Sequence, residues 1–154
     1  MAGITTAIPT SFKSEVMQAL HNFTQTSGND FKVALVKVGP TGTYDATTTN
    51  YSTLTGNSDE LAAGSGYTTG GYDITPANNI TPTTSGTTAF TTPGINPSWT
   101  SATFSTIGCI MYNATNGNRA VYVGSFGGTQ SVSSGTFTIL MPTNNSSTAL
   151  IRLA

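Results

Sequence analysis

Residues 99–126 read WTSATFSTIGCIMYN, then ATNGN, then RAVYVGSF, and this stretch decides the fold that the chain is expected to adopt. Two β-rich runs flank a short polar turn with Asn116 and Gly117 at its centre. Both residues tolerate a positive φ, which a two-residue type I′ hairpin loop requires. Branched aliphatic residues, aromatic residues and threonine dominate both runs and suit a half-buried pleated surface. The stretch therefore predicts a long antiparallel β-hairpin.

The side-chain pattern of the two arms predicts where this hairpin lies. Neither alternating face of residues 119–126 is strongly polar, so the hairpin is expected to be central in its sheet. In the first arm, Ala102 and Phe104 fall in one phase, whereas Cys109 and Met111 fall in the other. A bulge or bend within residues 105–108 would account for this reversal.

The composition narrows the range of functions. Charged residues make up 7% of the 154 residues, against about 25% in a typical domain. The net charge of −1 leaves no basic patch for phosphates, which disfavours nucleic-acid binding. No apolar run is long enough to predict a membrane span, the N-terminus lacks the pattern of a signal peptide, and a single cysteine excludes an intrachain disulfide. We expect one domain with a surface rich in hydroxyl and amide groups.

The remaining segments predict one helix and several more strands. Apolar residues from Phe12 to Phe23 recur at helical spacing, which predicts a short amphipathic helix that ends before Gly28. The glycines of residues 64–74 match neither the dinucleotide fingerprint nor the P-loop and are interpreted as turns. Further strands are predicted at residues 31–38, 87–91, 136–141 and 149–153. Together these elements predict a mainly β protein: an N-terminal arm at residues 1–10, then one antiparallel β-sandwich or jelly-roll-like domain at residues 11–154, which begins with the short helix.

The large apolar side chains of the strands are expected to share one core. Its predicted members are Trp99, Phe104, Ile110, Tyr122, Phe126, Phe137 and Ile139.

Groups that perform chemistry are sparse. One histidine, His21, and one cysteine, Cys109, cannot form a zinc site within one chain. A serine–histidine–aspartate triad would have to use His21, which is expected to be a surface or interface residue of the helix, and no serine lies in a nucleophile-elbow motif. Cys109 lies in an apolar strand and is expected to be an inert core thiol. Scattered surface acids are a more economical interpretation than a calcium site for Asp45, Asp59, Glu60 and Asp73. We expect no enzymatic activity, no metal and no cofactor.

The order of several short motifs resembles a family of small virion structural proteins of tailed bacteriophages. The motifs occur in the following order: a short helix, FKVALVKV at residues 31–38, GYTTGG at 66–71, a Trp-led strand at 99–112, a strand that ends in an aromatic–glycine pair at 121–127, and GTFTI at 135–139, before a C-terminal strand. The resemblance extends from Ser11 to Leu153. It implies a protein of the virion that decorates the capsid surface as a cement protein, with the major capsid protein as partner and self-association into a homo-oligomer. This chain departs from the pattern at residues 44–55 and 75–97, and inserted loops often carry contacts.

The uncharged arm at residues 1–10 is the segment expected to contact the capsid or a neighbouring subunit, because a short unanchored terminus can order on contact. Its candidate contact residues are Met1, Ala2, Gly3, Ile4 and Ile8.

Two other function classes fit the same sequence. One is a tail component or receptor-binding module that binds a host glycan, and the other, ranked last, is a small hydrolase. A glycan binder requires exposed aromatic rings beside acids and amides. The candidate rings are Tyr44, Tyr51, Tyr67, Tyr72 and Trp99.

Overall fold

A computed structural model describes residues 2–154 as a mainly β protein with two short α-helices. The strands are β1 (Gly3–Ile4), β2 (Phe31–Lys37), β3 (Thr43–Tyr44), β4 (Tyr72–Ile74), β5 (Thr83–Ser85), β6 (Thr88–Thr91), β7 (Ser98–Asn113), β8 (Arg119–Thr138) and β9 (Ile151–Leu153). The helices are α1 (Thr10–Met17) and α2 (Tyr51–Gly56), with a 3₁₀ turn at Pro76–Asn78.

Three sheets organise these strands. The largest is antiparallel with the order β4-β2-β7-β8, the second is antiparallel with the order β5-β6-β9, and β1 pairs with β3 in parallel. The predicted mainly β, antiparallel fold is confirmed, and the long hairpin is β7 with β8. Its first arm is central as expected, whereas β8 lies at the edge of the sheet.

The turn of the hairpin differs from the prediction. It contains five residues, 114–118, and the positive φ values belong to Gly117 and Asn118 rather than to Asn116 and Gly117. The amide group of Asn116 donates to the carbonyl of Leu20, and its N–H donates to Asn113 Oδ1. A two-residue type I′ loop is therefore wrong, because side-chain contacts with the body of the domain hold a longer turn in place.

The irregularity predicted at residues 105–108 is present. Thr106 pairs with Gln130, but the next pair is Gly108 with Ser125. Ile107 therefore stands opposite residues 126–129 of β8. The change of register divides the hairpin into two halves. The proximal half, next to the turn, contains residues 108–125, and the distal half contains residues 98–106 and 126–138.

The apolar interior forms two cores rather than the predicted single core. Alternate residues of a strand face opposite sides of the sheet. Consecutive residues of β2 and of the end of β7 are buried, so the centre of the four-stranded sheet is covered on both faces. The first core contains α1 and is built around Phe12, Phe31, Val33, Leu35, Tyr67, Ile74, Trp99, Ala102, Cys109, Met111, Val121 and Ile151. The second core contains α2 and is built around Ala34, Val36, Tyr44, Leu54, Ile110, Tyr112, Ala120 and Val123.

The predicted core members divide accordingly. Trp99 is buried in the first core and Ile110 in the second. The other five are only half-buried and pack on the margin of the first core: Phe104, Tyr122, Phe126, Phe137 and Ile139. Most of them lie in the distal half of the hairpin, where only one face meets the domain.

Helix α1 is shorter than predicted. It ends at Met17, because the chain turns at Ala19 with a φ of 58° and the N–H of Leu20 donates to the carbonyl of Glu15. Phe23 nevertheless packs into the first core, with its ring stacked 4.5 Å from that of Phe31. The helical spacing therefore predicted correctly that Phe12 and Phe23 pack into the interior, but the helix predicted from it is too long.

Candidate interaction surface

Several ionisable side chains bind one another or the backbone within the domain, and the first such cluster surrounds His21. This residue is buried and lies beyond α1, so its predicted position within the helix is wrong. Its Nε2 atom lies 2.8 Å from Glu15 Oε2, and its Nδ1 atom lies 3.1 Å from Asn113 Nδ2. Glu15 also binds Arg119 at 2.9 Å. This cluster fastens α1 to the turn of the hairpin.

The geometry fits a neutral imidazole with its proton on Nε2. That proton points to the Glu15 carboxylate, and Nδ1 accepts from the Asn113 amide, whose orientation is set by the carbonyl of Leu20. A proton on Nδ1 would meet a donor. Burial lowers the pKa of His21 from its usual 6.5, although the Glu15 carboxylate acts to raise it.

Two results are expected from this cluster. Replacing His21 with alanine should reduce the free energy of unfolding by about 2 kcal/mol at neutral pH, because two buried partners lose their hydrogen bonds.

The free energy of unfolding of the wild-type protein should also decrease as the pH is lowered from 6.5, since the unfolded chain binds the proton more readily than the folded chain. The slope should be at most about 1.4 kcal/mol per pH unit. Denaturant titrations from pH 8 to pH 5 on both proteins measure this. His21 is the chain's one histidine, so an equal slope in the variant would contradict the assignment.

A second cluster surrounds Asp59, which is fully buried. Its carboxylate accepts from the N–H of Thr41 and Gly42 at 2.9 and 2.7 Å and from the hydroxyl of Tyr44 at 2.7 Å. Lys37 completes the cluster with Nζ 3.0 Å from Oδ1. This carboxylate therefore closes the loop between β2 and β3.

The neighbouring acid, Glu60, belongs to a separate cluster. It accepts from the hydroxyls of Tyr51 and Tyr67 at 2.5 and 2.8 Å and from the N–H of Gly70 at 2.6 Å. Because Tyr67 also accepts from the N–H of Leu35, the glycine-rich segment is fastened to β2. The interpretation of that segment as turns is confirmed: its glycines have positive φ values.

The four acids considered for calcium do not converge. Asp59 and Glu60 face different clusters, Asp73 lies beside Lys32 on the surface, and Asp45 binds the neighbouring Thr47. Within residues 2–154, no group of three or more histidine, cysteine, aspartate or glutamate side chains is placed to hold a metal ion. Cys109 is buried as expected, and burial raises the pKa of its thiol to about 12.

The rings considered for glycan binding are packed within the domain, and four of them contact other rings. Tyr44, Tyr67 and Trp99 are buried. Tyr51 is half-buried and stacks on Tyr112 at 4.3 Å, while half-buried Tyr72 meets Trp99 edge to face. None of the five rings forms an exposed platform.

The N-terminal segment lies on the chain's own domain. Ala7 and Val123 exchange both backbone hydrogen bonds, so the segment crosses the edge of the large sheet at β8. On either side of this crossing, Ile4 packs against the second core and Ile8 against the first. The segment is therefore an integral part of the fold and not a separate arm.

The candidate contact residues differ in how much surface they leave for a partner. Gly3 belongs to β1 and is half-buried, as are Ile4 and Ile8, whereas Ala2 is exposed. Met1 lies outside the described residues. Contact of this segment with a neighbour stays a prediction, now limited to its outer surface.

The distal half of the hairpin presents the longest polar surface. Residues 127–138 of β8 contain threonine, serine, glutamine and glycine with two half-buried apolar residues, Val132 and Phe137, and no charge. Across the strands, Ser105 Oγ lies 2.7 Å from Ser131 Oγ, and Ser98 Oγ lies 3.0 Å from Thr138 Oγ1. The sequence contained this signal as a run of hydroxyl residues, but only the topology shows that the run lies at a sheet edge.

Comparisons with protein-family models, curated proteins and solved structures found no match. Within residues 2–154, no helix has the length and apolar character needed to cross a membrane.

Proposed function

We propose that this chain is a decoration (cement) protein of a tailed-bacteriophage head. It binds the major capsid protein on the outside of the assembled capsid, stabilises the particle and acts as a non-enzymatic homo-oligomer. The proposal rests on the ordered motifs that resemble small virion structural proteins and on the character of the exposed surface.

The observation that carries the proposal is that charged side chains are scarce, eleven in the chain, and that five of them are held by contacts within the domain. Glu15 binds Arg119, Asp59 binds Lys37, and Glu60 accepts three hydrogen bonds. What remains at the surface is mainly hydroxyl and amide groups. Such a surface binds through many short contacts, each worth about 0.5–1.5 kcal/mol, and not through long-range attraction.

A repeated lattice suits contacts of this kind. An oligomer that touches several capsid subunits at once gains effective concentration, so weak contacts combine into stable binding. A protein that meets its partner once, at low concentration, would benefit more from charge-based steering.

The motifs that carry the resemblance lie mainly in the cores. Trp99 and Tyr112 are buried, and Tyr67 of the GYTTGG element binds β2. Because these positions are buried, the motifs support a fold shared with the small virion proteins and not a shared binding surface. The capsid-binding residues belong among the exposed ones, of which Ala2 and the distal hairpin are our candidates.

Adding the purified protein to capsids that lack it tests the proposal. We expect occupancy close to lattice stoichiometry and a higher temperature of capsid disruption. Because few charges are exposed, occupancy should change little between about 0.05 and 0.5 M salt, a range over which screening of charges increases strongly.

The same experiment includes the competing functions. Isolated tails and host surface glycans are offered to the protein under the same conditions. Binding to either of these, with no binding to capsids, would contradict the decoration function and favour a tail component or receptor-binding module.

A further inference from the structure

We propose that the distal edge of β8 is a dimerisation surface, which pairs antiparallel with the same edge of a second copy of this chain. This inference names the surface and the partner for the homo-oligomer in the proposed function. It rests on that function only in this respect, because self-association can be measured without a capsid.

The first observation is that this edge is open. The proximal part of β8 is covered, since Ala7 pairs with Val123 and Thr6 Oγ1 accepts from the N–H of Ser125. Beyond Ser125, among residues 2–154, β7 is the one strand that pairs with β8. An open edge presents a row of unpaired N–H and C=O groups, which another extended backbone satisfies best.

The second observation is that the edge lacks two of the usual protections against pairing, charged residues and proline. Natural edge strands carry charged residues or proline, and residues 120–141 contain neither. Bulges do interrupt the edge, at Gly127 and at Ser134, where φ is 75° and 49°. They leave residues 128–133 and 135–138 as the extended segments available to a partner strand.

The third observation is a shallow groove beside the same edge, lined by both apolar and polar side chains. Its volume is about 370 Å³, and all of its lining residues belong to β8 or to the two residues after it: Phe126, Gln130, Phe137, Thr138, Ile139 and Leu140. Leu140 is 78% exposed, an unusual state for a large apolar side chain. Recognition by strand addition uses two components, a free backbone edge and a pocket for side chains, and the distal edge of β8 has both.

A second copy fits this surface because the surface is complementary to itself. A twofold axis brings identical groups close together, which charged residues would oppose and uncharged residues permit. A register centred on Ser133 places Leu140 of each copy opposite Phe126 of the other, since both lie seven residues from the centre. Each copy then fills the groove of its partner, and the two four-stranded sheets become one continuous sheet.

Size-exclusion chromatography with light scattering, over a range of concentrations, tests the pairing. The wild-type protein is expected to form dimers or multiples of dimers. Leu140→Lys should weaken association about 10-fold to 100-fold, because a buried leucine side chain contributes about 1.5–3 kcal/mol and the lysines face apolar rings. Met17→Lys is the matched control, since Met17 is 83% exposed and lies on α1, away from the edge.

Gln130→Lys is a second variant, which places the charge on the strand itself. Its side chain is exposed, so the fold should tolerate the change if Leu140→Lys does not. Hydrogen exchange supplies an independent measurement: amides of residues 128–138 should be protected at high protein concentration and exposed on dilution.

The outcomes separate clearly. A monomeric wild-type protein at about 100 µM, far above the Kd of a stable dimer, would overturn the inference. An oligomer that neither lysine variant weakens would also overturn it, as would one that Met17→Lys weakens equally. A dimer that pairs as expected but ignores capsids would leave the inference intact and contradict only the decoration function. A capsid-derived strand as occupant would appear as exchange protection of the edge only after capsids are added.

Discussion

Alanine in place of Gly71 is expected to lower the free energy of unfolding by about 3–5 kcal/mol, among the largest effects of a single substitution. A Cβ atom at this position would lie 2.0 Å from the carbonyl oxygen of Val33 and 2.7 Å from Cα of Ala34. Both are backbone atoms of β2, the strand that lies between β4 and β7. The clash cannot be relieved by a change of rotamer, and moving β2 would disturb both cores.

The matched control is Gly86→Ala. Gly86 also has a positive φ, 59° against 84° for Gly71, but a Cβ atom at Gly86 would meet nothing within 4 Å beyond its chain neighbours. Its substitution should lower the free energy of unfolding by only about 1–2 kcal/mol, the cost of placing an alanine at a positive φ. Urea titrations of the two variants compare the costs directly, and equal losses would show that close packing of Gly71 on β2 is not the cause.

Asp59→Ala should destabilise the domain by a similar amount, about 3–5 kcal/mol. The substitution removes the carboxylate that accepts from the N–H groups of Thr41 and Gly42 and from the hydroxyl of Tyr44. Lys37 loses its ion pair but keeps the hydrogen bond to the carbonyl of Ser58. Such groups cost more when unpaired and buried than a surface pair contributes when formed. Loss of the cluster should therefore release the loop between β2 and β3.

Asp73→Ala provides the control for Asp59. Asp73 is exposed and lies 3.8 Å from Lys32, so its removal should change stability by less than about 1 kcal/mol. Chemical denaturation measures both variants. If Asp59→Ala were as mild as Asp73→Ala, the cluster would not stabilise the loop.

The pH dependence of the same cluster has a definite sign. Burial alone would raise the pKa of Asp59, but the hydrogen bonds from Thr41, Gly42, Tyr44 and Lys37 outweigh it and hold the pKa well below its usual 3.8. The carboxylate therefore contributes its full stabilisation above pH 4–5, and the contribution is lost as the pH falls further. The loss of stability that depends on His21 occurs at higher pH, so the two can be measured separately.

Local patterns in the sequence predicted the parts of the fold that depend on neighbouring residues. The hairpin of residues 99–126, the strand that begins at Phe31 and the strand near Thr88 all follow from runs of β-branched and aromatic residues. The reversal of phase between Phe104 and Cys109 was sufficient to locate the irregularity at Ile107. Residue alternation was informative because it reports which side of a strand is buried.

Features that depend on distant contacts were not predicted. Helix α2 begins after Asn50, whose side chain accepts from the N–H of Ser52 and donates to the carbonyl of Gly117 in the distant hairpin turn. His21 is buried between Glu15 of α1 and Asn113 of β7, and Arg119 of β8 binds Glu15. The order of residues in the sequence does not show which distant side chains come into contact in the fold.

The candidate surface shows the same limit. The hydroxyl residues of the distal hairpin are plain in the sequence, but their exposure at an open edge depends on the N-terminal segment. That segment covers β8 from Val123 to Ser125 and leaves the edge beyond Ser125 open, because its preceding residues, Gly3 and Ile4, pair with β3 instead. The segment itself resembled a free arm in the sequence, since it has no charge and little periodicity.

The most direct test of the proposed decoration function is to look for this protein on purified tailed-phage particles and to measure its copy number and position there. Quantitative mass spectrometry of purified heads and tails gives the first, and electron cryomicroscopy of the same particles gives the second. We expect copies in a simple ratio to the major capsid protein, arranged on the outer surface of the head. A few copies confined to the tail, or none on the particle, would contradict this function.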